Sequence, residues 1–285
     1  MRQQLKKFIP PAILPFIVRL VRHRDRLALN RVGRIACDTA ALSRSIDHPK
    51  LREIFTSHHI NSEWPEVERD ISMFSIPDNA GGVNPGDRRA IYYLIRHLCP
   101  RAVLEIGTHI GASTVHILAA LKKCYLEDQA NIGKLVTVDV RDVNDSNSQP
   151  WLQWESNYSP RDMSAKLGAS DWVTFITDTS IEYLSSCTES FDFIFLDGSH
   201  SAQTVYREIP AALKVLNRGG VILLHDYFPY RRPLWSDGSL VEGPWLAAQR
   251  LKSEGALFKV LPLNELPWTT KLNSKNTSLA LLVGE

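Results

Sequence analysis

From Pro85 onward, short apolar runs ended by turn residues alternate with longer segments whose apolar positions fall three and four apart. Residues 87–98 have helical spacing, and 102–106 form a short apolar strand closed by Gly107. The alternation continues with a helix over 112–121, strands over 134–138, 172–176 and 191–196, and a helix over 205–216. Gly219 and Gly220 then open a strand over 221–224, rich in β-branched residues and Leu. Repeated βα units imply a parallel sheet covered by helices on both faces, with the ligand beyond the carboxyl ends of the strands. Residues 256–262 and 278–283 read as two further strands with no helix between them, an antiparallel closing hairpin.

Residues 1–80 lack this alternation. They contain helical stretches, and Pro10, Pro11 and Pro15 interrupt the start. The chain therefore divides into a helical appendage, 1–80, and an α/β domain, 81–285. Residues 13–29 read as a basic amphipathic helix, with Leu14, Ile17, Val18 and Val21 apolar and Arg19, Arg22, His23, Arg24 and Arg26 charged. Such a helix either packs on its own domain or a second subunit, or makes peripheral contact with an anionic membrane surface.

Composition narrows the class. Hydrophobic residues at 44% and charged residues at 22% of the 285 are globular values, which exclude disorder and fibrous repeats. The 33 Lys and Arg against 31 Asp and Glu leave +2, too little for a nucleic-acid footprint, so a small-molecule partner is expected. Cys37, Cys99, Cys124 and Cys187 form no CxxC pair and read as four buried thiols. No apolar run reaches the roughly 18 residues of a membrane span, and no cleavage site follows the basic start. The expected location is the cytoplasm.

The most informative stretch is V-L-E-I-G-T-H-I-G-A-S, residues 103–113, in which Glu105 ends a strand and Gly107 and Gly111 flank a turn into a helix. The glycines let the backbone approach a ligand, and the helix start presents unpaired N–H groups. Thr108 and Ser113 belong to the same cofactor-binding turn. The pattern is G-x-x-x-G rather than the dinucleotide G-x-G-x-x-G, and Glu105 suits the ammonium group of a cationic cofactor. His109, inside the turn, is expected to face solvent or cofactor and is given no chemistry. Asp139 ends the second strand, where a carboxylate can accept both ribose hydroxyls of an adenosine. Asp178, after the third strand, either meets the adenine amino group or caps the helix that follows.

The ordered elements E-I-G-T-H-I-G, V-D-V, F-D-F-I-F-L-D-G-S-H and G-G-V-I-L-L-H-D-Y resemble those of class I S-adenosylmethionine-dependent methyltransferases. Within that class, L-D-G-S-H and H-D-Y are similar to the small-molecule O-methyltransferase group, of the methyltransferase domain 24 type, found with polysaccharide and natural-product pathways. The resemblance covers residues 80–285. It implies a Rossmann-like seven-stranded sheet with an antiparallel last strand and S-adenosyl-L-methionine as cofactor, and with the appendage it suggests a homodimer.

Methyl transfer to a hydroxyl requires alignment of the two centres and activation of the oxygen. Asp197 and Asp226 end the fourth and fifth strands, so their carboxylates should share one edge of the crevice. Asp197 is thereby a cofactor-binding candidate, and with Asp226 it forms a pair of hard oxygen ligands for Mg2+ or Ca2+ that would lower the acceptor hydroxyl's pKa. Catechol-type O-methyltransferases, which the chain is similar to here, carry an amide after the second acid. Tyr227 stands there instead, so a metal would need water, Asn144 or an acid of the 142–170 insertion as a further donor. His200 lies where those enzymes carry a lysine base, and His225 adjoins Asp226. Either histidine is a catalytic candidate, since an ordinary imidazole, with a pKa of about 6.5, is mostly neutral at pH 7.

Two long loops complete the expected acceptor pocket. Residues 141–171 contain Trp151, Trp154 and Tyr158, and residues 227–245 contain Tyr230, Arg231, Arg232 and Trp235. Aromatic rings with arginines suit a sugar or an anionic metabolite, although ordinary loop packing would account for them equally. The expected activity is O-methylation of a sugar, glycan precursor or secondary metabolite. Rivals on the same scaffold are N-methylation, a hydroxylase-like relative, and a partner subunit that binds cofactor without turnover.

Overall fold

The computed structural model describes residues 14–78, 80, 82–130 and 132–285. Pro10, Pro11 and residue 13 of the amphipathic pattern lie outside them, as do the side chains of residues 14–19. The N-terminal segment forms α1 (Leu14–Asn30), α2 (His48–Phe55) and α3 (His58–Ser72). Asp47 and Ser57 cap α2 and α3 by accepting from Lys50 N and Ile60 N.

The α/β part follows as α4 (Pro85–Leu98), β1 (Ala102–Ile106), α5 (Ala112–Glu127), β2 (Lys134–Asp139), α6 (Pro160–Lys166), β3 (Val173–Thr177), α7 (Ser180–Ser186), β4 (Phe191–Leu196), α8 (Ala202–Lys214), β5 (Leu216–Leu224), α9 (Gly243–Ser253), β6 (Phe258–Pro262) and β7 (Ala280–Gly284). The strands make one seven-stranded sheet in the order β3-β2-β1-β4-β5-β7-β6. Pairing is parallel from β3 through β5, and β7 runs antiparallel to both β5 and β6. The closing hairpin and reversed strand are thus as expected. β5 begins earlier than the Gly219-Gly220 signal implied, because both glycines lie inside it beside an irregularity in its pairing with β4.

Side chains alternate between two cores, as the period of two along a strand requires. Val103, Phe193, Phe195, Val221 and Leu223 face the layer of α2 to α5. Leu104, Ile194, Leu196, Ile222 and Leu224 face the layer of α8 and α9. Both faces are covered, so the strands read as continuous apolar runs. The described part of the N-terminal segment joins both layers: Ile54, Trp64 and Val67 enter the first core, and Leu29 and Leu42 the second. Backbone bonds from Ser43 N to Gly220 O (2.8 Å) and from Gly284 N to Ser43 O (2.8 Å) stitch the segment to β5 and β7.

The four-thiol expectation is corrected. Cys99 and Cys124 are disulfide-bonded with Cα atoms 5.7 Å apart, because α4 and α5 pack together and bring the end of one beside the last turn of the other. Cys37 and Cys187 are free but only half-buried. Nearby, buried Arg96 pairs with Glu63 (2.8 Å) and with Glu127.

Glu208 of α8 is buried against Ser180, whose hydroxyl donates to it at 2.5 Å. Burial pushes its carboxyl up to about 7, with the Ser180 bond pulling the other way. The folded value lies above the ordinary 4.5, so the native state binds the extra proton. This contribution is whole below about 4.5 and is lost as pH rises towards about 7. Glu208→Gln is therefore expected to be the more stable form at pH 8, by up to about 3 kcal/mol, and to match the parent near pH 4.5. Urea unfolding of both proteins across this window checks it; identical pH profiles would remove the assignment.

Candidate active site

The turn between β1 and α5 lies at the carboxyl edge of the sheet. Gly107 has φ +104°, and a Cβ there would overlap the carbonyl of Asp197, so the turn lies directly against the end of β4. Gly111, with φ +78°, opens α5 without a side-chain cap and lies against Pro160 and Met163 of α6.

Glu105 is fully buried and accepts from Ser113 Oγ (2.5 Å), Thr114 Oγ1 (2.6 Å) and Thr137 Oγ1 (2.6 Å). Burial pushes its carboxyl up to about 7 against these hydroxyls, and nearby Asp197 adds to the rise. Thr108 Oγ1 also meets Thr137 Oγ1 at 2.6 Å. The hydroxyls of Thr108 and Ser113 are therefore turned into the protein, where they and Glu105 lock the turn. Sequence reasoning missed Thr114 and Thr137, which look like ordinary helix and strand residues.

Asp139 is half-buried and accepts from His109 N (2.9 Å) and Arg141 N (3.1 Å), joining the β1 and β2 loops. Asp178 is half-buried and accepts from Thr179 N at 2.7 Å. The cap of α7 is Thr179, which accepts from Glu182 N, so the helix-cap explanation of Asp178 falls. The His109 ring is half-buried and packs on Trp154 with centroids 4.7 Å apart.

The acidic edge holds more than the sequence suggested. His225 is 6% exposed, with Nδ1 2.8 Å from Asp197 Oδ1 and 3.7 Å from Asp226 Oδ1. Its Nε2 faces Asp87 Oδ2 at 3.6 Å, and Asp87 is itself fully buried and bonded by Asn84 Nδ2 at 2.7 Å. Burial alone would lower the imidazole's pKa, but Asp197 and Asp226, with Asp87, raise it well above the ordinary histidine range. His200 is 33% exposed, with Nδ1 3.6 Å from Asp226 Oδ2 and Nε2 4.0 Å from Asp197 Oδ1. The structure thus brings His200, His225, Asp197 and Asp226 together and adds Asp87, which in sequence is indistinguishable from an acid favoured in the first turn of a helix.

These residues are not preformed as a cation cluster. Among the described residues, the group of three or more Asp, Glu, His or Cys whose ligand atoms lie within 4.8 Å of one another is His59, Glu63 and Glu127, and Arg96 already sits among those. Asp197 and Asp226 do not close into such a group, and His225 contacts both. Asn144, a suggested further donor, already accepts from Arg161 N at 2.8 Å through its side-chain oxygen. Tyr227 is buried in the second core.

The two loops differ. Trp151 is buried with Ala80, Ile110 and Ala112, and Tyr158 packs on Phe74, so the first loop covers the glycine turn by ordinary packing. In the second, Trp235 is buried against Phe228 and Arg231 lies over Trp245. Tyr230, 76% exposed with φ +55°, and Arg232 remain exposed.

A doubly wound sheet with one reversed strand and a glycine turn beside the acidic ends of β2, β4 and β5 defines the class I methyltransferase fold. Residues 104–227 match the model of a methyltransferase domain family. A relative, the O-methyltransferase hkm8 of Aspergillus hancockii, is 28% identical over 127 residues, which are 45% of this chain and 43% of that protein. The chain thus spans less than half the length of this curated relative. The O-methyltransferase TomG from Streptomyces achromogenes, involved in tomaymycin synthesis and solved with S-adenosylmethionine, shares the fold at 17% identity and a TM-score of 0.50, over 77% of this chain and 88% of that one. Among the described residues no helix is long and apolar enough to cross a membrane.

Proposed function

We propose that the protein is an S-adenosylmethionine-dependent O-methyltransferase acting on a hydroxyl of a secondary metabolite or glycan precursor, with His200 as general base. The observation that carries this reading is His200 itself, open to the crevice at the shared edge of β4 and β5 and flanked by Asp226 and Asp197. S-adenosylmethionine supplies an electrophilic methyl when bound. Gly107 and Gly111 admit it, Asp139 accepts its ribose hydroxyls and Asp178 its adenine amino group. Glu105, enclosed by hydroxyls, keeps the turn in shape, and its ionised fraction near neutral pH favours the cationic cofactor.

His200 takes the acceptor's proton at a ring nitrogen, and the imidazolium formed is stabilised by the two carboxylates. His225 is walled off from solvent, and its place is to hold Asp197 and Asp226 apart as their counter-charge. On this reading a divalent cation is not required, and turnover is insensitive to chelator.

Calorimetric titration with S-adenosylhomocysteine, with and without Mg2+, and with NAD as control, tests the cofactor assignment. Binding of the nucleoside alone, unchanged by Mg2+, supports it; no binding removes the main support for methyl transfer. Asp139→Ala is expected to weaken this binding by about 1 to 3 kcal/mol. Asp139→Asn, which keeps an acceptor for the His109 amide, separates ribose recognition from support of the turn. Unchanged affinity in both variants would exclude Asp139 as the ribose ligand.

A further inference from the structure

The loop that carries His200 is held by residues far from it in sequence. Two residues beyond His200, the Ala202 N–H that opens α8 donates to both oxygens of Asp25, at 3.0 and 3.1 Å. The next residue of α1, Arg26, donates from Nε (3.1 Å) and Nη2 (2.6 Å) to Glu242 Oε2, a buried carboxylate at the start of α9. Gly243, directly after it, lies so close to the His200 carbonyl that a methyl group there would overlap it. Arg250 of α9 closes the arrangement by donating to Leu29 O and to Val32 O at the end of α1.

Two adjacent side chains of opposite charge thus engage two helix starts at once. Asp25 complements the positive amino end of α8, and Arg26 neutralises Glu242 where α9 presses on the His200 backbone. The matched methyltransferase stretch begins only at residue 104, so this brace comes from outside it.

We propose that Asp25 and Arg26 are positioning residues: α1 fixes the loop between β4 and α8 and thereby holds the His200 imidazole against Asp226. Its consequence for turnover rests on the reading of His200 as base, but the positioning itself does not. The test uses the full chain with labelled histidines, saturated with S-adenosylhomocysteine and followed by NMR, with the His200 resonances identified through His200→Gln.

Asp25→Ala is expected to lower Ala202 amide protection at least tenfold and to shift the His200 imidazole signals. The His225 signals and S-adenosylhomocysteine affinity should stay as they are. Asp25→Asn, which keeps an acceptor for Ala202, should restore most of the protection, and Arg26→Gln should again move His200 alone. Unchanged Ala202 exchange and His200 signals in Asp25→Ala would overturn the proposal, as would changes spread equally over His225 and the global melting temperature. If Asp25→Ala does not fold, Arg26→Gln and Asp25→Asn carry the same two readouts, and His200 signals unmoved in Arg26→Gln overturn the brace. Full turnover in His200→Gln would refute the base and leave the brace standing.

Discussion

His200→Gln is expected to lower kcat by about two to four orders of magnitude, the usual contribution of a positioned general base, while S-adenosylhomocysteine binds as before. Glutamine retains polarity and roughly the reach of the ring but cannot take a proton at neutral pH, so the loss isolates proton transfer from packing. His225→Gln gives a different pattern. It removes the cation between Asp197 and Asp226, leaving buried carboxylates uncompensated, and should cost stability on the order of 3 to 5 kcal/mol as well as activity. The pair of variants therefore distinguishes a group that moves a proton from one that holds charge in place. Methyl-transfer kinetics on a panel of sugars and phenolic metabolites, with chelator present throughout, reads both. Full activity of His200→Gln would exclude His200 as base, and activity that vanishes with chelator in the parent protein would return the chemistry to a metal.

Much of the scaffold was legible because each buried strand is apolar on both faces. The runs at 102–106, 191–196 and 221–224 meet helices on either side, and neither core depends on one distant residue. The glycine turn was legible for the same local reason: the positive φ values of Gly107 and Gly111 are conformations that glycine adopts without strain. Residues whose roles depend on tertiary contact were not. Asp87 looks like a helix-start acid and Asp25 like one charge on a basic helix, yet each meets its partner across the fold. Thr114 and Thr137 donate to Glu105 from two different elements, and the Cys99 to Cys124 pairing depends on how α4 lies along α5. For Trp151 the sequence left two readings open, and packing is the one the structure shows. An aromatic residue in a long loop suggested a pocket wall, but the side chain had apolar surface of the glycine turn to cover.

Gly107→Ala should have the largest effect on the cofactor side, and its size can be divided. Two costs apply at Gly107: the φ of +104°, which an L side chain rarely adopts, and the overlap of a methyl group with the Asp197 carbonyl and with Gly198 N, 3.0 Å away. Gly219, with φ +85° and nothing within 4 Å of the place a methyl group would take, carries only the first. Strain at such a position costs about 1 to 3 kcal/mol, and forcing an extra methyl into a filled space costs about another 1 to 3. Gly219→Ala should therefore lose only the first amount and leave S-adenosylhomocysteine affinity untouched. Gly107→Ala should lose both, a large share of the roughly 5 to 15 kcal/mol typical of a folded domain, and should weaken nucleoside binding by at least about tenfold because relief requires β1 and β4 to separate. Denaturant unfolding and calorimetry of the two variants side by side measure the difference. Equal stability losses would mean that the turn does not press on β4. A larger loss at Gly107 with unchanged binding would mean that it does, but that the ligand lies elsewhere.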